Sequence, residues 1–233
     1  MYRAIVTAHI AFGVIALATY WMAGLSKKGS PLHRGAGKAY LLSMIGVVAS
    51  SVVMAGFAFA REMVVIATFL AYLVVITVTA MALGWLALRR KRDQAAYRGL
   101  GYRAGAVLNV VSGLAVFAFG IQQGNALLMG FSWVGIIIGG QMLWRAWKPL
   151  AEAKWWLREH IGAMLGCGVA THIAFLGIGI RRLTDAMGVQ VDLGLVAWFA
   201  PVAVSFLAGL WLERKYLAKP AAPAVRRTEA ASA

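Results

Sequence analysis

Four histidines are the only titratable side chains of chemical interest within or at the rim of this sequence's long apolar runs. His9 lies about five residues inside the outer end of the first run, and His172 about eight residues inside the outer end of the sixth. Their settings are alike, Ala8-His9-Ile10-Ala11-Phe12 and Thr171-His172-Ile173-Ala174-Phe175. At about 1.5 Å per residue the depths are roughly 7 and 12 Å, so the two meet if runs one and six are neighbours. His33 and His160 lie at the opposite interface, at the starts of runs two and six. The four thus sort into an outer pair and an inner pair, each joining the first hairpin to the sixth run.

Imidazole pairs from two helices are a usual way to hold haem b, and two pairs would hold two haems across a membrane. His160 and His172 are about 120° out of phase on one helix, so a single face does not carry both. Met164 shares the face of His160, which allows a His/Met set. Two other readings stand beside haem or metal. In one, His9 and His172 hydrogen-bond a Ser, a Thr or a carbonyl, while His33 and His160 are hydrated interface residues. In the other, the polar positions serve a quinone, a lipid or a small solute.

The remaining chemistry is sparse. Cys167 is the single cysteine, which excludes an internal disulfide and argues against cysteine-based metal sites. No run carries an internal Asp, Glu, Lys or Arg, which counts against ion- or proton-coupled transport. No nucleotide-binding, HExxH or nucleophile-elbow pattern occurs, so a hydrolase or ATP-driven pump has no support. Asn109 and Gln141 are expected to hydrogen-bond between helices, because an amide in hydrocarbon needs a partner.

The elements that must position these groups are written in the composition. Of 233 residues, 61% are hydrophobic and 13% charged, about half the charge of an ordinary soluble domain. Mean hydropathy is +0.75. Runs at roughly 4–25, 39–60, 63–88, 104–121, 126–144, 160–180 and 193–212 are each long enough to cross a hydrocarbon core of about 30 Å. They lack strand alternation, so the expected fold class is all-α: a polytopic membrane protein of seven transmembrane helices.

The net charge of +15 does not point to nucleic acid, because the basic residues cluster between the runs. Nineteen of the 23 Lys and Arg fall on one side of the alternation; only Arg3, Arg61, Arg181 and Arg182 fall on the other. The positive-inside rule then puts the N-terminus outside and the C-terminus in the cytoplasm. The first run is too long for a signal-peptide core, and its stronger basic flank follows it, so it is expected to stay as an anchor. Residues 1–217 form the expected transmembrane domain, and 218–233, rich in Ala and Pro, an expected disordered cytoplasmic tail.

Small residues such as Gly135 with Gly139, and Gly162 with Gly166, suit close helix packing, and most of the nine Trp lie near run ends as an aromatic belt. Two basic turns resemble each other, His33-Arg34-Gly35-Ala36-Gly37-Lys38 and Tyr97-Arg98-Gly99-Leu100-Gly101-Tyr102-Arg103. A hairpin duplication and chance convergence both account for that likeness. Each turn sets glycines, Arg and a helix start at headgroup level, which suits an anionic lipid phosphate as well as simple topology-setting charge.

The first hairpin carries His9-x3-Gly13, Lys28-Gly29, His33-Arg34-x2-Gly37-x2-Tyr40-x3-Met44 and Ser50-Ser51. This pattern resembles a bacterial family of predicted multi-spanning membrane proteins with a domain of unknown function. The likeness covers about the first 50 residues, and His160 with Met164 would fill a later His and Met of that family. It implies a multi-pass protein of the bacterial inner membrane and no particular activity. Two function classes remain. One is a redox protein holding haem b or a metal through His9, His172, His33 and His160, with a quinone or membrane redox partner. The other is a non-catalytic bundle, either an accessory subunit or one that handles lipid or solute.

Overall fold

A computed structural model describes residues 1–148, 150–191 and 193–217. The expected tail, 218–233, lies outside the described residues. Among the described residues all regular structure is helical. Seven helices are long and apolar enough to span a membrane. They are α1 (Tyr2–Leu25), α2 (Pro31–Phe59), α3 (Val64–Arg89), α5 (Leu100–Gln122), α6 (Ala126–Trp147), a rod beginning with α7 (Trp155–Ala174), and α9 (Val196–Leu217). The rod runs on through a π-helical turn, Phe175–Gly179, into α8 (Ile180–Ala186). A one-turn helix, α4 (Gln94–Tyr97), precedes α5.

The helix starts follow local chemistry. Ser30 caps α2 by accepting from the His33 N–H at 3.1 Å, and Pro31 occupies the first turn, where its missing N–H costs nothing. These two residues start α2 about eight positions before the apolar run, so His33, Arg34 and Lys38 belong to the helix. Asp93 caps α4 and Asn125 caps α6 in the same way. Gly29 (φ 79°) and Gly124 (φ 59°) turn the chain before α2 and α6, in backbone conformations that side chains disfavour.

The short connections make successive helices antiparallel. The α1–α2 turn, the C-terminal ends of α3, α6 and α9, and the start of α7 therefore gather at one end, here termed the basic end. α1 pairs closely with α2, and α5 with α6; α3 stands between these hairpins and packs on α7, which in turn packs on α9. The α5–α6 pair is close because both faces are bare: a Cβ on Gly139 would fall 2.6 Å from the Ala106 carbonyl oxygen. Tyr72 of α3 ties on to α6 of this pair, donating to the Ser132 carbonyl (2.9 Å) and accepting from the Gly135 N–H (2.8 Å). Many large apolar side chains face outward, as lipid contact requires. At the basic end Arg89, Lys148 and Lys215 lie over the rings of Trp85, Trp144 and Trp211.

The two similar basic turns fold differently: the first is continuous helix from Pro31, whereas the second is α4, a break at Arg98-Gly99, and then α5. Asn109 does bridge helices, its amide donating to the Thr79 hydroxyl of α3 at 2.7 Å. Gln141 does not; it is exposed on α6 and its side chain makes no hydrogen bond to a described residue. It lies six residues from the end of α6, about 9 Å, which brings it within reach of the headgroup layer.

Candidate functional site

The structure separates the four histidines by what their ring nitrogens touch. His172 is fully engaged. Its Nδ1–H donates to the Gly168 carbonyl (2.7 Å), and its Nε2 accepts from Trp21 Nε1–H (3.0 Å). Tyr20 and Trp21 both meet its ring edge-on. Gly168 supplies the floor of this cluster, since a Cβ there would strike the Tyr20 hydroxyl. His9 lies elsewhere on α1, with Nδ1 2.8 Å from Ser50 Oγ. Ser50 directs its own proton to the Gly46 carbonyl (2.7 Å), so His9 Nδ1–H is the donor.

The expected outer pair is therefore not brought together. His172 bonds Trp21, and Trp21 is twelve residues from His9 on one helix, about 18 Å along the axis. No ligand atom could bridge that span. Depth alone suggested a meeting, but α7 crosses α1 near Trp21 and away from His9.

The inner pair behaves differently. His33 of α2 donates Nδ1–H to the Ala23 carbonyl in the last turn of α1, at 2.9 Å. His160 of α7 donates Nδ1–H to the Gly84 carbonyl of α3, at 3.1 Å. Both bonds have local causes. Carbonyls in a helix's last turn lack intrahelical partners, so Ala23 is open to His33. Gly84 has no side chain, which lets Ala163 and Met164 of α7 close on α3 and brings His160 to its backbone. Neither Nε2 has a hydrogen-bond partner among the described residues. Lys28 and His33 share the Ala23 carbonyl as a hydrogen-bond acceptor, which places the ammonium beside the His33 ring. Backbone carbonyls that hold Nδ1–H fix the tautomer, orient the ring and leave Nε2 as a lone-pair donor, the usual support of a metal-ligating histidine.

Lys28, in the α1–α2 turn, donates Nζ–H to the Ala23 carbonyl at 3.2 Å and also to the Gly24 carbonyl. Partial loss of water, and then repulsion from Lys215, hold its amine below the ordinary lysine value. Lys215 arrives from the last turn of α9.

One buried ionic cluster at this end escaped the sequence reading. Glu159, 6% exposed, pairs with Arg145 of α6 through Oε1 and accepts from the Tyr97 hydroxyl at Oε2, 3.0 Å away. Arg98 adds donors to the Arg145 and Ala146 carbonyls at the end of α6. Burial, and then the Glu159 charge, push the Tyr97 phenol far above its usual value, so it stays a neutral donor. The cluster ties α4, α6 and α7 together one residue away from His160. Its signal lay in helical phase: Trp155, Glu159, Ala163, Cys167 and Thr171 recur every four residues, and all are buried.

No family model matches the chain, and no curated protein or solved structure matches it either. The functional reading therefore rests on the geometry described above.

Proposed function

We propose that this is a multi-pass protein of the bacterial inner membrane in which His33 and His160 ligate a metal centre, haem b being the group that two imidazoles suit. One observation carries the reading: each of the two rings is fixed through Nδ1–H by a backbone carbonyl of a different helix, and each leaves Nε2 without a protein partner. His9 and His172 stand outside this ligand set, since His172 has both nitrogens engaged and His9 lies far along α1. Met164 is also outside it, packed against Gly84.

The seven apolar helices support residence in a bilayer. The distribution of Lys and Arg supports a cytoplasmic basic end with the N-terminus outside. The likeness of the first hairpin to bacterial inner-membrane proteins supports the compartment. Anionic headgroups would meet the basic rim that carries Arg89, Lys148 and Lys215 beside tryptophans. When bound, haem b supplies one-electron redox chemistry, which suits a quinone or membrane redox partner. The chain's own part would be to orient two imidazoles through their Nδ1–H bonds to backbone carbonyls.

The test is an absorption spectrum of detergent-purified protein made with haem available, taken oxidised and dithionite-reduced, with metal analysis on the same sample. A Soret band and a sharpened α-band on reduction are expected; they should be lost in His33→Ala and His160→Ala and kept in His9→Ala. A colourless, metal-free protein overturns the reading. The inner imidazoles are then helix anchors in a non-catalytic bundle.

A further inference from the structure

We infer that the cavity between the π-helical turn and the start of α9 binds a phosphate ester, as a lipid headgroup or a soluble compound. Arg181 holds the phosphate, and the carbon part sits against Trp198 and Leu193. The site lies at the end of the bundle opposite the basic end and does not depend on His33 or His160.

Room is the first argument. The cavity has a volume of about 200 Å³. That is more than ten times the roughly 15 Å³ that one water requires. It is smaller than the pockets of about 300 Å³ and upward that enclose a whole drug-sized molecule, so it suits a head group without its chains. Leu176 and Gly177 of the π-helical turn form one wall, and Ala197 and Trp198 of α9 the other. Turns of this kind recur at functional sites. The wall is preformed. The Trp198 ring meets Phe69 of α3 edge-on at 5.4 Å and Phe131 of α6 at 6.2 Å. It also lies against Gly177, where a Cβ would fall 3.0 Å from the indole.

Charge is the second argument, and it is independent of the first. Basic residues are scarce at this end of the bundle. Arg61 lies over the Tyr2 ring, 5.0 Å from its centre. Arg181 lines the cavity, and its guanidinium has no ion pair, hydrogen bond or ring contact among the described residues. The ion pairs of the described residues all lie at the basic end, and Asp185, one turn further along α8, does not pair with Arg181. Trp198 adds an indole N–H that has no acceptor among the described residues. Depth supplies the occupant. Arg181 is about 39 Å along the Trp155–Ala186 rod from its start, past a hydrocarbon core of about 30 Å and within the headgroup layer. Phosphate esters are the oxyanions of that layer, and a guanidinium fork matches two phosphate oxygens.

The experiment titrates the full-length protein in non-ionic detergent with phosphatidylglycerol and with diacylglycerol, which lacks the phosphate, and counts bound lipids by native mass spectrometry. Lipid held at the basic end contributes equally to every variant, so the readout is the difference from wild type. Arg181→Gln is expected to lose one tightly bound phosphatidylglycerol, its affinity falling on the order of tenfold. Arg181→Lys should restore part of that affinity. Arg61→Gln removes the same charge at the same end and should bind as wild type does. Leu193→Trp, which fills the cavity from an exposed position, should lose the same lipid. Diacylglycerol binding should not respond to Arg181→Gln. Competition by glycerol 3-phosphate identifies a site open to soluble esters, and its failure to compete identifies a lipid site; either outcome agrees with the inference. Wild-type phosphatidylglycerol binding in Arg181→Gln, an equal loss in Arg61→Gln, or an equal loss of diacylglycerol overturns it.

Discussion

Removal of the Glu159 carboxylate should destabilise the bundle more than any other single substitution at the basic end. The side chain is 5% exposed and its partner Arg145 27%, so the pair is buried on one side and water-accessible on the other. Breaking a fully buried pair by deleting one member costs about 3–5 kcal/mol; water access to Arg145 reduces this to roughly 2–3 kcal/mol. For a chain of this length each kcal/mol moves the unfolding midpoint by about 2–4 °C, so Glu159→Ala should lose roughly 5–10 °C. Glu159→Gln keeps an acceptor for Tyr97 and should lose about half as much. Cys167, fully buried and the only thiol, gives the assay: a thiol-reactive fluorophore should label the protein only as it unfolds. Arg145→Ala/Glu159→Ala should cost at least about 1 kcal/mol less than the sum of the single variants, because no orphaned charge remains. A midpoint within about 2 °C of wild type for Glu159→Ala, or strict additivity in the cycle, would refute the argument.

Three further outcomes are expected. Gly139→Ala should destabilise by about 1–3 kcal/mol in the same labelling assay, because its Cβ meets the α5 backbone; Gly140→Ala, which meets nothing within 4 Å, should be neutral. Asn109→Ala and Thr79→Val should each cost about 0.5–1.5 kcal/mol, and the double variant no more than the larger single, since both remove one interhelical hydrogen bond; full additivity would count against it. His9→Ala and Ser50→Ala should likewise be small and non-additive, and neither should shift the haem spectrum if His33 and His160 are the ligands.

The helices were legible because hydrocarbon leaves the backbone no alternative; apolar runs of about 20 residues can satisfy their own hydrogen bonds only as helices. Where the apolar run ended, the reading lost the helix. α2 extends back to Pro31 because Ser30 caps it, and polar side chains on that added stretch can reach the headgroups. The same error hid Glu159. The sixth run was taken to begin at His160, so a carboxylate one residue earlier was assigned to a loop, yet it lies in the second turn of α7 on the buried stripe. Asn109 was legible because its amide is deep within α5 and is fully buried. Gln141 was misjudged because sequence depth does not say which face of α6 meets a neighbour.

The histidines show where depth and phase stop being informative. His9 and His172 have matching local sequences and similar depths, but the helix that carries His172 meets α1 at Trp21, about three turns along α1 from His9. Pairing depends on which helices touch and at what level, and neither is encoded in a single span. His33 and His160 were grouped only on the ground of lying at one interface, and the structure anchors each ring separately, on a backbone carbonyl of a different helix. The open carbonyl of Ala23 exists because α1 ends there, and the reachable carbonyl of Gly84 exists because α3 lacks a side chain at that turn. A histidine whose two nitrogens are both spent, as in His172, has its role filled by packing. One that is anchored by Nδ1–H and bare at Nε2 still has a lone pair to give, and His33 and His160 therefore mark the part of this bundle where chemistry should be sought first.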